Sequence, residues 1–153
     1  MPTIEDVRAF LARHGIEVWT FDTPTPTAET AARAVGCSVG EIAKTLLFLV
    51  GERPVVVVAA GDVRVKGSRL KRATGFTGRV RLPRADEVER ITGYAPGGVC
   101  PFLLPEDLPV LVDRSLRRFD RVYPAAGNDR SAVPIGVDRL VEITGAREVD
   151  VTE

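Results

Sequence analysis

Lys44-Thr45-Leu46-Leu47-Phe48-Leu49-Val50-Gly51-Glu52-Arg53-Pro54-Val55-Val56-Val57-Val58-Ala59-Ala60 holds the two longest apolar runs of the chain, Leu46–Val50 and Val55–Ala60. Each has the length of a strand, and the Gly51-Glu52-Arg53 link is hairpin-sized. Apolar residues in unbroken succession, without alternation, mark strands covered on both faces. The pattern therefore predicts an antiparallel pair, Lys44–Val50 and Pro54–Ala60, near the centre of a sheet.

Around that pair, helical and extended patterns are interspersed irregularly. Thr3 caps a helix that Gly15 ends, with Ile4, Val7, Phe10 and Leu11 on one face. Ile16–Phe21 alternates as a strand does, and Thr23-Pro24-Thr25-Pro26 is an extended connector. Thr27 caps an alanine-rich helix through Val35, and Ser38-Val39-Gly40-Glu41 has the form of a capping box. Further helices are expected over Gly67–Thr74, Pro83–Thr92 and Asp138–Thr144. Further strands are expected over Pro109–Asp113, Arg121–Ala125, Ala132–Val137 and Val149–Val151. The 153 residues contain no repeat and no low-complexity linker. The expectation is one α+β domain over residues 1–153, with a mixed, largely antiparallel sheet.

Composition narrows the chemistry. A content of 44% hydrophobic and 27% charged residues is that of a globular protein, and no apolar run is long enough to span a bilayer. The N-terminus lacks the basic-then-apolar pattern of a signal peptide, so a cytoplasmic location and no membrane partner are expected. Cys37 and Cys100 are too far apart for a CxxC pair, and His14 is the only histidine. That argues against a metal site or other cofactor, and against Ser-His or Cys-His catalysis unless His14 is the base. As one of the last residues of the first helix, His14 reads better as a surface group.

The zero net charge conceals segregation. Arg64, Lys66, Arg69, Lys71, Arg72, Arg79, Arg81 and Arg84 fall in one segment free of acidic residues; it carries +8 and the remainder −8. Such a block suits a polyanion, and equally a solvated basic face. Two features suit catalysis. Lys44 stands where a helical turn hands over to a buried strand, so its ammonium can enter a cleft beside an apolar wall and meet an anion. Gly93-Tyr94-Ala95-Pro96-Gly97-Gly98-Val99-Cys100-Pro101-Phe102 packs three glycines and two prolines into ten residues. A turn of that kind either simply connects two elements or aims backbone N–H groups at one point.

Taken together these residues resemble the YbaK/ProX family of aminoacyl-tRNA deacylases, relatives of the editing domain inserted in bacterial prolyl-tRNA synthetases. The resemblance rests on Thr27-Ala28-Glu29-Thr30-Ala31-Ala32, Ile42-Ala43-Lys44-Thr45-Leu46, Gly93-Tyr94 with Gly97-Gly98-Val99-Cys100-Pro101-Phe102, Val112-Asp113, Ala126-Gly127-Asn128 and Leu140–Ala146. It runs in order over nearly the whole chain. It implies a partly barrel-like sheet surrounded by helices, and hydrolysis of the ester joining a wrong small amino acid to a tRNA 3′ end. The implied partners are the acceptor end of aminoacyl-tRNA, tRNA-Pro above all, and prolyl-tRNA synthetase. It carries an essential lysine to Lys44 and carbonyl or ribose contacts to the Gly97 and Gly98 backbone. Thr27, Thr45, Cys100, Pro101, Gly127 and Asn128 become expected substrate contacts, and Lys66, Arg69, Lys71 and Arg72 expected tRNA contacts.

The chain departs from that pattern at Cys100, where many relatives have serine, and at Leu103, where they have glycine. It also has Ala132 where some cysteinyl-specific members have an acid. No base neighbours Cys100 in sequence, which disfavours it as a nucleophile. An activated ester needs a positioned water and a polarised carbonyl rather than a strong nucleophile, and one oxyanion donor is worth about 2.7–4 kcal/mol. Small amino acids are the species that need a second, hydrolytic sieve, because a missing methylene changes binding by only about 1–3 kcal/mol. A non-catalytic tRNA- or synthetase-binding module of the same fold, and a hydrolase of other small esters, are the rival readings.

Overall fold

In a computed structural model covering residues 1–153, the hairpin is the backbone of the molecule. The chain runs through α1 (Ile4–Ala12), β1 (Trp19–Thr20), α2 (Ala28–Val35), β2 (Ala43–Val50), β3 (Arg53–Ala60), α3 (Gly67–Thr74), β4 (Val80–Arg81), α4 (Ala85–Thr92), β5 (Val110–Asp113), β6 (Ser131–Ala132), α5 (Val137–Thr144) and β7 (Arg147–Val149). Short 3-10 turns cover Val39–Glu41 and Arg114–Arg118.

β2 and β3 pair from Ala43↔Ala60 to Val50↔Arg53, which leaves Gly51-Glu52 as a two-residue loop. Both loop residues have positive φ, 54° and 68°, as a type I′ turn requires. A Cβ at Gly51 would lie 2.1 Å from the Thr77 carbonyl oxygen, so only glycine fits there. Arg81 holds Glu52 in a bidentate pair across the turn.

The main sheet has the order β4-β2-β3-β5-β7. It is antiparallel on the β4-β2-β3 side and parallel on the β3-β5-β7 side. Alternate β3 residues feed two cores. Val56, Val58 and Ala60 face a core of 20 buried residues that takes in Val7 and Leu11 of α1 and Leu140 of α5. Val55, Val57 and Ala59 face a seven-residue core closed by Leu70 of α3 and Val151. Burial on both faces is the physical reason for the unbroken valine run.

A second ladder, β1 with β6, curls towards the start of β2 through the bridges Val122↔Ile135 and Ile42↔Tyr123. This is the barrel-like part of the fold. The strands expected over Arg121–Ala125 and Ala132–Val137 shrink to these bridges and to β6, because Pro124 and Pro134 interrupt the supply of N–H donors. The strand expected over Ile16–Phe21 shrinks to β1, opposite the equally short β6. The last strand lies at Arg147–Val149 rather than Val149–Val151. There the Val151 N–H and the Thr152 hydroxyl are taken by the buried Asp113 carboxylate instead of a ladder. No helix is long and apolar enough to cross a membrane.

Candidate active site

Lys44 follows directly from the bridge that fixes the mouth of β2. The Tyr123 N–H donates to the Glu41 carbonyl (2.9 Å) and the Ala43 N–H to the Tyr123 carbonyl (3.1 Å). One residue later the Lys44 ammonium donates to the Val63 carbonyl. Partial burial lowers the lysine pKa below its ordinary value; Asp62 and Glu29 pull the other way, and Arg64 adds to the lowering.

The outer edge of β2 is open at this end, since β4 pairs only with Leu49 and Val50. The Ala43 and Gly51 N–H groups both point away from β3, to Tyr123 and Arg79. By strand parity, Thr45 and Leu47 turn their backbone groups to the same unpaired edge. A cavity of about 250 Å³ lies against that edge. It is smaller than the roughly 300–1,000 Å³ of sites that engulf drug-sized ligands. Its walls include Lys44, Thr45, Leu46, Gly97, Val99, Asn128 and the methyl groups of Ala28, Ala31, Ala125 and Ala132. The Thr45 Oγ1 is buried there without a hydrogen-bond partner.

The glycine turn comes to the same cavity in an arrangement different from the expected one. Ala95-Pro96-Gly97-Gly98 is closed by a Gly98 N–H to Ala95 carbonyl bond of 3.0 Å. Pro96 second, and Gly97 third with φ of 87°, is the pattern of a type II turn. The expected pair of donors, Gly97 and Gly98, is therefore corrected: the Gly98 N–H is committed inside the turn. The N–H groups without a protein acceptor are those of Gly97 and Val99, and both residues line the cavity. Gly98 instead allows close approach, because a Cβ on it would lie 2.9 Å from the Asn128 Cα.

Other expected contacts divide. Thr27 lines the cavity, but its hydroxyl accepts the Thr30 N–H as the cap of α2. Asn128 lines it too; its Oδ1 accepts the Arg130 N–H, which leaves the amide NH₂ unpaired. Gly127 stands behind the wall, where a Cβ would lie 3.0 Å from the Tyr94 ring. Pro101 lines a separate cavity with Phe10, Leu104 and Ile143. Cys100 is fully buried, with its thiol aimed at the Phe102 carbonyl. Burial pushes that thiol up to about 11, against the lowering effect of hydrogen bonds with Tyr94 and Phe102. The Tyr94 hydroxyl donates to the same carbonyl. Cys100, Pro101 and Gly127, expected as substrate contacts, thus lie outside the cavity lining and pack against the loops around it. His14 is exposed, packs its ring 5.2 Å from Phe10, and does not line the cavity.

Sequence reasoning missed Val99, Tyr123, Ser131 and the Val63 carbonyl. Only Val99 carried a local signal: the fourth residue of a Pro-Gly turn donates back within the turn, which moves the free donors to either side of it. The four expected tRNA contacts lie on α3 and its cap, outside the cavity lining. Arg69 is tied to the Thr152 carbonyl and to Asp150, and Lys71 to the Gly78 carbonyl. Lys66 and Arg72 have no side-chain partner.

The aminoacyl-tRNA editing domain profile matches residues 22–143, a span that takes in Lys44, the glycine turn and every wall of the cavity. The chain belongs to the aminoacyl-tRNA editing domain family. The uncharacterised protein YwhH of Bacillus subtilis is 39% identical to this editing domain over 129 residues, 84% of this chain and 81% of its own. An Enterococcus faecalis protein named "Putative Cys-tRNA(Pro)/Cys-tRNA(Cys) deacylase EbsC" is 25% identical over 82% of this chain and 77% of its own. The proline–tRNA ligase of Aquifex aeolicus is 33% identical over 59% of this chain, which corresponds to 16% of the ligase. The crystal structure of a "putative trans-editing enzyme for prolyl tRNA synthetase" superposes with a TM-score of 0.88 at 31% identity, covering 100% of this chain and 98% of that one. The mixed α+β architecture is thus that of an aminoacyl-tRNA editing domain.

Proposed function

We propose that this protein is a free-standing trans-editing hydrolase that removes a small amino acid from mischarged tRNA, with tRNA-Pro as the expected tRNA. The observation that carries this reading is one 250 Å³ cavity lined by Lys44, Gly97 and Val99, with the Gly97 and Val99 N–H groups free of protein acceptors. Two of the three ammonium protons remain for the substrate once Val63 has taken one. The ester carbonyl lies against the Gly97 and Val99 donors, and Lys44 holds the negative charge of the adjoining ribose-phosphate or of the developing oxyanion.

Water adds to the carbonyl carbon and the bond to the ribose oxygen breaks; one proton of that water goes to the released ribose oxygen and the other to solvent, as the amino acid leaves as a carboxylate. The alanine-rich wall suits a small side chain. Ala132 leaves that wall apolar where an acid stands in some cysteinyl-specific relatives. The test is a panel of tRNAs carrying alanine, cysteine, serine or proline, assayed for ester hydrolysis. Hydrolysis of at least one small mischarged species, with Pro-tRNA spared, is expected. Binding of the tRNAs without hydrolysis of any would make the protein a binding module, and hydrolysis only of simple esters would detach it from tRNA.

A further inference from the structure

Trp19, Arg121 and Tyr123 form a cluster that the proposed chemistry does not use. Trp19 is the only tryptophan of the chain. The β1–β6 register sets it opposite Ala132, and Ala132 and Tyr123 are both cavity-wall residues. The two rings are 5.7 Å apart and tilted by 36°. Both side chains are partly exposed, and their placement is firm. The indole Nε1 donates to Glu17 Oε1 at 3.0 Å, and the Tyr123 backbone is bonded in both directions to the mouth of β2. The exposed Arg121 guanidinium lies 5.7 Å from the Trp19 ring centre and 5.8 Å from that of Tyr123. No carboxylate pairs with it.

Two aromatic faces and an unpaired cation at the lip of a small cavity match a ligand with a π face and an adjacent anion. A nucleotide has both, and single-stranded nucleic acid is held by stacking on such side chains. Resting on the reading above, we propose that Trp19 and Tyr123 form the platform on which the terminal nucleobase of the RNA 3′ end stacks, with Arg121 at its phosphate. The platform places the last nucleotide beside the cavity that receives its acyl group, which makes it a positioning site for the ester.

The single tryptophan makes the test direct. The probes are an uncharged, 5′-labelled RNA hairpin with a single-stranded CCA end and the same hairpin with an abasic 3′-terminal nucleotide. Trp19 fluorescence reports stacking and the label's anisotropy reports binding. The intact hairpin is expected to quench Trp19 saturably, and the abasic one to bind at least about 5-fold more weakly without that quench, from the usual strength of one base–aromatic stack. Arg121→Ala, at an exposed position, is expected to weaken the intact hairpin about 10-fold. It should affect the abasic hairpin less, and raise KM for deacylation more than it lowers kcat. Equal binding of both hairpins by a protein that still deacylates tRNA would overturn the platform alone. Failure to bind either hairpin, with no deacylation of any tRNA, would overturn the functional reading and the platform with it.

Discussion

The cavity at Lys44 and the basic segment Arg64–Arg84 differ in what their polar groups have left to give. The segment carries eight positive charges, but three of its arginines are held by acidic partners. Arg81 forks between Glu52 and Glu87, and Arg84 pairs with Asp86. Arg69 is drawn to Asp150 and the C-terminal backbone. These arginines fasten the turn of the central hairpin, the start of α4 and the end of the chain. The cavity is lined by Lys44, Gly97, Val99 and Asn128, whose ammonium, backbone N–H groups and amide NH₂ retain unmet hydrogen-bonding capacity. Charge density marks where a polyanion could lie; unmet donors in a confined space mark where a reaction could be assisted.

The widest gap between the two regions is expected at Lys44. Lys44→Ala should lower kcat/KM for deacylation about 100-fold or more, the scale of losing one electrostatic stabiliser. Lys44→Arg should recover little of it, because a forked guanidinium does not replace a compact ammonium. The charged form is the active one, so activity is present below the lysine pKa and falls as pH rises through it. Burial places that fall below pH 10.5, and Asp62→Asn, which removes a supporting charge, should move it lower still. A pH–rate profile after subtraction of spontaneous ester hydrolysis checks both points; a profile flat to pH 10.5 would break the link to Lys44.

A stability effect of comparable size is expected at Asp113, remote from both regions in function. Burial opposes its ionisation, but hydrogen bonds from Ser115, Val151 and Thr152 outweigh burial and hold its pKa below the ordinary value. Asp113→Ala should cost about 2–3 kcal/mol, since it strands buried donors. Because the folded pKa is depressed, the stabilisation is complete above the unfolded value near pH 4 and is lost as pH falls through the folded one. Urea melts of both proteins at pH 7 and pH 3 should show the difference shrinking; a constant difference would contradict this.

Within the basic segment the contrast sharpens further. Lys66→Ala with Arg72→Ala should weaken tRNA binding and flatten the salt dependence, by a slope of roughly 0.7–0.9 for each phosphate that is no longer neutralised. Arg69→Ala should instead loosen the C-terminal segment, seen as a lower Tm, and change the slope less. An unchanged slope in the double variant would make the segment a solvated face. Two small effects complete the series. Cys100→Ser should keep most activity, since a hydroxyl can donate to the same Phe102 carbonyl, and loss of activity in the folded protein would contradict the supporting role. Leu103 sits at φ 55°, in the left-handed region that favours glycine. Leu103→Gly relieves about 1–2 kcal/mol of left-handed strain against about 0.5–1 kcal/mol of added chain entropy, so a Tm raised slightly is expected.

The hairpin, α3 and the cap of α2 were legible in the sequence because each is governed by neighbours in the chain. Unbroken valines specify a doubly covered strand, and Thr27 and the glycines after Val35 and Thr74 bound their helices. The placement of Lys44 at the mouth of β2 was legible for the same reason, at the junction of a turn and an apolar run. The failures are non-local or depend on which hydrogen bonds are already made. Nothing near Gly98 in sequence reveals how closely it approaches Asn128, although the Pro-Gly turn did foreshadow its occupied N–H. The pairing of Trp19 with Ala132 joins residues more than a hundred positions apart. The basic run could be counted in the sequence, but its partners Glu52 and Asp150 lie outside the run.

The most direct test is single-turnover deacylation of a mischarged tRNA at saturating protein, with circular dichroism confirming the fold, for the wild type, Lys44→Ala and the Lys66→Ala/Arg72→Ala double variant. The account predicts that Lys44→Ala loses about 100-fold in the saturated rate constant, while the double variant needs more protein to reach its plateau. A folded Lys44→Ala protein that hydrolyses the ester at the wild-type rate would contradict it.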